Sequence, residues 1–213
     1  MVESPVVHIV DDDTELAASI AQVVRLVKLE AITYPSATDF LQVYRPGRPG
    51  CLVTDIRMPG MSGPELQEYL EAKGDRLPVI IISGCADVAT AVRAMKAGAR
   101  EVFEKGGSMH ILLESIQKAV QEDVDRRSAE SEYDETLLRF ESLSPREREV
   151  LFNMLDGKTN KAIAQILGIS SNTVEIHRAR VMEKMAAESL ASLVKSCVYA
   201  GLDKRSKPLE RSS

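Results

Sequence analysis

Asp55-Ile-Arg-Met-Pro-Gly-Met-Ser-Gly63 is the stretch that decides the fold of the first half of this 213-residue chain. It begins where the apolar run 51–54 ends, and its proline, glycines and serine predict a loop that leads from a buried strand into a helix. The acidic cluster Asp11-Asp12-Asp13 follows the apolar run 6–10 in the same way. In an open parallel sheet, residues at the carboxyl ends of neighbouring strands meet at one crevice. We therefore expect these carboxylates to lie together at one edge of a sheet.

The rest of the first half repeats this strand-to-helix pattern. Short apolar runs alternate with amphipathic helical spacing from Val6 to about Val120, which predicts strands near residues 6–10, 31–34, 51–54, 79–82 and 101–103. Five such units predict an α/β fold with a five-stranded parallel, doubly wound sheet. No glycine or proline occurs between Gly107 and Pro145, so the last helix is expected to continue into a charged linker.

Polar side chains end or follow four of the expected strands. They are Asp11, Asp12, Asp55, Ser83 and Lys105. Each has an ordinary explanation alone, as a helix cap, a turn residue or a solvated lysine, and helix capping is the role expected for Asp13. Gathered at one sheet edge, they predict a phosphoryl acceptor. Carboxylate oxygens are ligands that Mg²⁺ prefers, and an aspartate beside a bound cation and a fixed ammonium can accept a phosphoryl group.

A second, helical module begins at Ser144-Pro-Arg-Glu147, which has capping-box spacing and a proline suited to the first turn of a helix. The stretch 159–180 predicts a helix, a tight turn at Gly168 and a second helix whose exposed face is polar and basic. A last helix is expected at 189–200, which makes four helices in all. The central pair is either an ordinary helical hairpin or a reader of the DNA major groove.

Composition limits the class of protein. Hydrophobic residues make up 44% and charged residues 28% of the chain, which suits two modest cores, and the net charge is -5 although residues 140–213 are basic overall. The longest apolar run is too short to span a membrane, and the N-terminus has no secretory pattern, so we expect a soluble cytoplasmic protein. The cysteines are widely spaced and expected to be reduced; they are Cys51, Cys85 and Cys197.

Residues 1–122 resemble the receiver domain of bacterial two-component response regulators, through the motif Asp55-x-x-Met58-Pro59-x-Met61-Ser62-Gly63 and the polar residues before and after it. The resemblance implies that Asp55 accepts a phosphoryl group from the phosphohistidine of a sensor kinase. Lys105 would pair with that phosphoryl group, and Ser83 would move to hydrogen-bond it. The implied ligands of Mg²⁺ are Asp11, Asp12, Asp55 and the main-chain carbonyl of Arg57.

Two positions depart from the receiver pattern. A proline usually follows the lysine, and here Gly106 stands in that place. An aromatic switch residue usually stands three positions before the lysine, and here it is Val102, with Phe103 beside it. These departures leave the phosphorylation chemistry in place, but they affect the usual route from the phosphoryl group to a distant surface.

Residues 140–202 are similar to the LuxR-type helix-turn-helix domain of the FixJ and NarL regulators, through the stretches 143–151 and 173–185. The resemblance implies that Glu175, Ile176 and Ala179 read base edges, with His177 close by. Glu175 would accept a hydrogen bond from a cytosine amino group, and Ile176 would touch a thymine methyl group. The implied contacts to DNA phosphates are Lys161, Thr173, Arg178, Arg180 and Lys184. The side chains expected to pack inward are Val174 and Val181.

These expectations combine into a DNA-binding response regulator that is not an enzyme. Its expected parts are a receiver domain at 1–122, a helical linker at 123–139, a LuxR-type domain at 140–203 and a disordered tail at 204–213. Phosphorylation of Asp55 by a sensor histidine kinase is expected to favour a homodimer on double-stranded operator DNA and to activate transcription, with RNA polymerase as a further partner. No membrane partner is expected.

Three alternatives to this function are considered, and the first belongs to another class of protein. A phosphatase with an aspartyl nucleophile would need a second carboxylate two residues on, where Arg57 stands. A LuxR-type regulator that senses a small molecule is disfavoured by an aromatic content of 4% and by the acidic strand ends. A receiver that is switched by partner binding without phosphate stays open, because Val102 and Gly106 depart from the pattern.

Overall fold

The structure, a computed structural model, describes residues 4–84, 95 and 98–202. The chain forms two compact units, Met1–Arg127 and Ser128–Ser213, and the division between them falls within the linker expected at 123–139. Three expected features lie outside the described residues: the helix between the fourth and fifth strands, Cys85, and the tail at 204–213. Of the other cysteines, Cys51 and Cys197 are buried free thiols.

The first unit contains the expected five-stranded parallel sheet, in the order β2-β1-β3-β4-β5. Its strands are β1 Val6–Val10, β2 Glu30–Tyr34, β3 Gly50–Asp55, β4 Val79–Ser83 and β5 Glu101–Glu104. Its described helices are α1 Thr14–Leu26, α2 Ala37–Val43, α3 Gly63–Ala72 and α4 Met109–Glu141. Asp13 caps α1, because its side chain accepts hydrogen bonds from two backbone N–H groups of the first turn. The five strands and this helix cap are as expected from the sequence.

Helices cover both faces of the sheet. On one face, α1 and α4 pack against alternate strand residues such as Val7 and Ile9. On the other face, α2 and α3 pack against the intervening residues, such as Val10 and Leu52. Every residue of β1, β3 and β4 is therefore buried, which explains why these strands are continuous apolar runs rather than alternating ones. The doubly wound α/β fold is confirmed.

Helix α4 is continuous over 33 residues and includes the whole linker expected from the sequence. Within the first unit it carries a buried carboxylate, Asp123, which accepts a hydrogen bond from the N–H of Gly50 at 3.0 Å. The same carboxylate forms ion pairs with Arg126 and Arg127. Although α4 is long, neither it nor any other helix in the described part of the chain is apolar enough to cross a membrane.

As far as residue 202, where the description ends, the second unit contains four shorter helices, each begun by a hydroxyl side chain. They are α5 Pro145–Leu155, α6 Asn160–Leu167, α7 Ser171–Lys184 and α8 Leu190–Tyr199. The capping residues, whose hydroxyl oxygens accept from backbone N–H groups of the first turn, are Ser144, Thr159, Ser170 and Ser189. Gly168 ends α6 with φ of 65°, a left-handed conformation that favours glycine. Val174 and Val181 of α7 are buried in the core of this unit, as expected.

Candidate functional site

Three carboxylates gather at the carboxyl edge of the sheet. Asp11 and Asp12 follow β1, and Asp55 ends β3, which is the direct neighbour of β1 in the sheet. One carboxylate oxygen from each of these three residues lies within 4.8 Å of the others. Asp11 and Asp55 are buried, whereas Asp12 is exposed to solvent. The structure thus brings together the acidic residues that the sequence placed at one edge.

The ammonium of Lys105 lies between two of these carboxylates. Its Nζ is 3.0 Å from Asp11 Oδ2 and 3.1 Å from Asp55 Oδ2. Burial by itself lowers the pKa of Lys105, but hydrogen bonds to the two aspartates outweigh burial and raise the pKa overall. The lysine therefore stays charged at neutral pH and is available to an anion that forms on Asp55.

Lys105 does not fully compensate for the burial of the Asp11 carboxylate. Burial raises the pKa of Asp11, and it outweighs the opposing effect of the hydrogen bond from Lys105. Oδ2 of Asp11 is buried and has no hydrogen-bond partner among the described residues, although Lys105 Nζ is close enough for an ion pair. A carboxylate oxygen in this state, beside two further carboxylates, is suited to a hard divalent cation such as Mg²⁺.

The loop after β3 approaches the site closely. Oδ1 of Asp55 accepts a hydrogen bond from the N–H of Ile56 at 2.8 Å. Ser62 begins α3 with a capping box that it forms with Glu65. Gly63 follows, and a Cβ atom at this position would lie 2.4 Å from the carbonyl oxygen of Asp55. The glycine in the motif is thus required by the close approach of α3 to the end of β3.

The expected switch residues lie on the neighbouring strands. Ser83 ends β4 and is buried, and its carbonyl accepts the backbone N–H of Lys105 at 2.7 Å. Val102 of β5 packs on the α2 and α3 side of the sheet. Phe103 packs on the opposite side, against the core formed with α1 and α4. Because side chains alternate along a strand, the phenylalanine cannot replace an aromatic ring at position 102.

Gly106 gives the loop after Lys105 a conformation that proline cannot adopt. Its φ is 89°, whereas the proline ring fixes φ near -65°. No cis peptide bond occurs in the parts of the chain that the structure describes. The lysine nevertheless reaches both aspartates, so this departure from the receiver pattern is compatible with the position of the ammonium.

The second group of candidate residues lies on α7 and its neighbour α6. Exposed positions are Lys161, Glu175, Ile176, Ala179 and Arg180. Partly buried positions are Thr173, His177 and Arg178. His177 turns one ring nitrogen inward, since its Nδ1 is buried and has no hydrogen-bond partner among the described residues. The face that the sequence predicted for base reading is thus open to solvent at three of its four positions.

Lys184 differs from the other basic candidates. Its Nζ lies 2.6 Å from Oε2 of Glu147 and 3.3 Å from the carbonyl oxygen of Ser142. The hydrogen bond from Lys184, with one from the Ser144 N–H, lowers the pKa of Glu147 to about 2. In contrast, the structure records no such pairing for Lys161, Arg178 or Arg180 within the described part of the chain. This pair could not be predicted from the sequence, since its members are 37 positions apart.

Comparison with known proteins identifies both units. Residues 7–117 match the family described as response regulator receiver domain, and residues 141–197 match bacterial regulatory proteins of the luxR family. The transcriptional regulatory protein FixJ of Azorhizobium caulinodans is 40% identical over 95% of this chain and 96% of its own length. The response regulator protein TodT of Pseudomonas putida is 38% identical over 89% of this chain and 84% of its own length.

Two solved structures support the same comparison over nearly the full length. The response regulator StyR is 41% identical, with a TM-score of 0.80, over 92% of this chain and 98% of that chain. Full-length FixJ from B. japonicum is 34% identical, with a TM-score of 0.58, over 94% of this chain and 98% of that chain.

Proposed function

Because the chain belongs to the response regulators that join a receiver domain to a LuxR-type DNA-binding domain, we propose that phosphorylation of Asp55 by a sensor histidine kinase controls its dimerisation and its sequence-specific binding to DNA. As a member of this family the chain is a transcriptional regulator, not an enzyme. The observation that carries the proposal is the ammonium of Lys105, 3.0 Å from Asp11 and 3.1 Å from Asp55. A fixed cation at this place would contact the oxygens of a phosphoryl group on Asp55.

The transfer step uses Asp55 as the nucleophile. A carboxylate oxygen of Asp55 attacks the phosphorus of the kinase phosphohistidine, and the new O–P bond forms as the P–N bond breaks. The imidazole leaves with the electron pair of that bond and takes a proton from solvent. Lys105 would then hydrogen-bond the transferred oxygens in place of its present contact with Asp55.

Mg²⁺ would be held by the carboxylates of Asp11, Asp12 and Asp55 with the carbonyl of Arg57. The bound ion supplies positive charge that offsets the charge on the transferring oxygens. The fit of these residues is supported by the buried oxygen of Asp11 that has no hydrogen-bond partner among the described residues. Ser83, buried at the end of β4, is the residue proposed to move and donate its hydroxyl to the phosphoryl group.

The DNA interface is proposed for the exposed face of α7. Glu175, Ile176 and Ala179 would face base edges, with His177 beside them. Contacts to DNA phosphates are proposed for Lys161, Thr173, Arg178 and Arg180. The remaining basic candidate, Lys184, is given another role below.

A homodimer is the proposed active form. One helix in one major groove makes few base contacts, and paired half-sites double their number. Exposed apolar side chains on α8 support such a contact; they are Leu190, Val198 and Tyr199. Control of transcription is supported by relatives such as FixJ, which are described as transcriptional regulatory proteins. Activation, with RNA polymerase as a partner, is the form of control that we propose.

Phosphate uptake provides the direct test of the chemistry. The full chain is incubated with Mg²⁺ and acetyl phosphate, and its intact mass is measured beside that of Asp55→Asn and of wild type with a chelator. We expect an added phosphoryl group on wild type alone, and only with the metal. Equal uptake by Asp55→Asn would show that another residue is the acceptor.

Val102 supports a second candidate function, a regulator whose receiver is switched by a binding partner alone. The side chain lies where the receiver pattern has an aromatic ring, and Phe103 packs on the opposite face of the sheet. A wild-type chain that takes up no phosphate but still binds DNA selectively would favour this candidate. In that case the next measurement is capture of a partner by the receiver surface.

A further inference from the structure

The last residue of α7 is held by contacts inside its own unit. Lys184 Nζ donates to Oε2 of Glu147 at 2.6 Å and to the carbonyl of Ser142 at 3.3 Å. The Glu147 side chain is only 4% exposed, and its Oε2 also accepts the N–H of Ser144 at 2.8 Å. The four residues Ser142, Ser144, Glu147 and Lys184 are called the junction cluster here, because Ser142 directly follows α4 and Ser144 begins α5.

A second cation strengthens the same junction. Arg148 donates to the carbonyls of Glu141 and Leu143 at 2.8 and 3.1 Å. Its guanidinium also lies 4.9 Å from the ring centroid of Phe140, near the end of α4. Carbonyls at a helix end need such donors, since they have no partner within the helix. The end of α4, the start of α5 and the end of α7 are thus tied together by side chains.

The ion pair is costly to break. The Glu147 side chain is 4% exposed and that of Lys184 is 39% exposed, so removal of the lysine leaves a buried carboxylate without its cation. For Lys184 to reach a DNA phosphate, its ammonium would have to leave Glu147 in that condition. Lys161 has no such partner within the described residues and can approach a phosphate freely.

We infer that Lys184 is a positioning residue: through Glu147 it fixes the direction of α7 relative to α5 and to the end of α4, and it makes no phosphate contact. The inference rests on the proposed role of α7 in reading DNA. It also joins α7 to the residue that directly follows α4, since the carbonyl of Ser142 accepts from Lys184. A change in the direction of α7 would disturb contacts to DNA bases more than contacts to DNA phosphates, because hydrogen bonds to base edges require more exact positions.

Two DNA probes separate positioning from phosphate contact. The full chain, treated with Mg²⁺ and acetyl phosphate, selects a duplex from a random-sequence pool, and an unrelated duplex of equal length serves as the second probe. Dissociation constants for both are measured across a range of salt concentrations, well below the unfolding temperature of each variant. The variants are Lys184→Met, Glu147→Gln, the double variant, and Lys184→Arg, with Lys161→Met as the matched lysine control.

Positioning predicts that Lys184→Met weakens binding to the selected duplex about 10-fold, with no change on the unrelated duplex and an unchanged salt slope. Glu147→Gln should cause the same loss of affinity for the selected duplex, although it keeps the lysine. The double variant should bind no more weakly than either single variant. Lys184→Arg should retain most of the wild-type affinity. The double variant also leaves no uncompensated charge, so it reports on position even where Lys184→Met folds poorly.

Other results would overturn the inference. If Lys184 contacts a phosphate, Lys184→Met should weaken binding to both duplexes alike and reduce the salt slope by about 0.9, as expected for Lys161→Met. In that case Glu147→Gln should not weaken binding. A purely structural role predicts a lower melting temperature with unchanged dissociation constants. If wild type enriches no duplex at all, the DNA-binding proposal fails and the inference fails with it, which is a different result from either of these.

Discussion

Gly63 shows how much the site depends on a residue that takes no part in the chemistry. The helix α3 starts so close to the end of β3 that a Cβ atom at Gly63 would lie 2.4 Å from the carbonyl oxygen of Asp55 and 2.9 Å from a methyl carbon of Thr54. Both neighbours are buried and have little room to move. The carbonyl belongs to the proposed phosphoryl acceptor, so a shift there would also displace its carboxylate.

We predict that Gly63→Ala destabilises the receiver by about 1–3 kcal/mol, as overpacking against backbone does, and slows phosphate uptake. Gly84→Ala is the matched control, because a Cβ there would make only an ordinary contact of 3.8 Å with the Lys105 side chain. Urea unfolding and intact-mass time courses measure the two effects. Equal stability and uptake in both variants would contradict the role given to Gly63.

His8 is a buried residue with an unusual proton affinity. Its ring packs edge-on against Phe40 and Tyr44, and its Nδ1 lies 3.0 Å from the hydroxyl of Tyr34. Burial, assisted by the charge of Arg48, lowers the pKa of His8 from 6.5 to about 4. Between these two pH values the unfolded chain binds more protons than the folded chain does, so stability rises with pH in this window.

We predict that the lowered pKa of His8 reduces the free energy of unfolding by about 2 kcal/mol as the pH falls from 7 to 5. The contribution is present at and above the unfolded pKa and is lost as the pH falls toward the folded one. His8→Phe keeps an aromatic ring and removes the titration, so its free energy of unfolding should fall less steeply over the same range. Parallel pH curves for the two proteins would contradict the lowered pKa.

At the scale of secondary structure, strand ends carried most of the information in the sequence. Asp11, Asp55 and Lys105 could be predicted to meet because each stands at the carboxyl end of a strand, and parallel topology then fixes the edge they share. The apolar runs were long enough to identify each strand. Contacts between residues far apart in the chain could not be predicted, because neither the ion pair of Glu147 with Lys184 nor the hydrogen bond from the Gly50 N–H to Asp123 follows a local pattern.

Asp123 is the clearest example of a contact that only the fold reveals. Its carboxylate is buried in α4, 73 positions from the Gly50 N–H that it accepts. Two arginines of the next turn, Arg126 and Arg127, pair with it. Gly50 begins β3, so the Asp123 carboxylate joins the start of this strand to α4.

We predict that Asp123→Ala destabilises the receiver by roughly 3–5 kcal/mol, because a buried N–H loses its acceptor and two arginines lose their ion pair with this carboxylate. It should also speed amide exchange in the part of α4 that follows. Asp125→Ala, at an exposed position of the same helix, should change stability by less than about 0.5 kcal/mol. Urea unfolding and hydrogen exchange measure these effects, and similar values for the two variants would contradict the anchoring role of Asp123.

At the scale of the whole molecule, one continuous helix leads from the unit that holds Asp55 to the unit that holds α7. Helix α4 begins in the first unit and ends at the junction cluster of the second. A phosphoryl group on Asp55 adds negative charge at the sheet edge, which a two-state receiver can convert into a changed surface. We propose that phosphorylation of Asp55 changes DNA binding by α7 in this way.

The most direct test is the affinity of the full chain for its selected duplex, measured by fluorescence anisotropy before and after treatment with acetyl phosphate and Mg²⁺, beside Asp55→Asn. We expect phosphorylation to tighten binding by about 10-fold or more and to shift the chain to a dimer in sedimentation, and we expect no response from Asp55→Asn. Complete phosphorylation of Asp55 that leaves affinity and mass in solution unchanged would contradict this proposal.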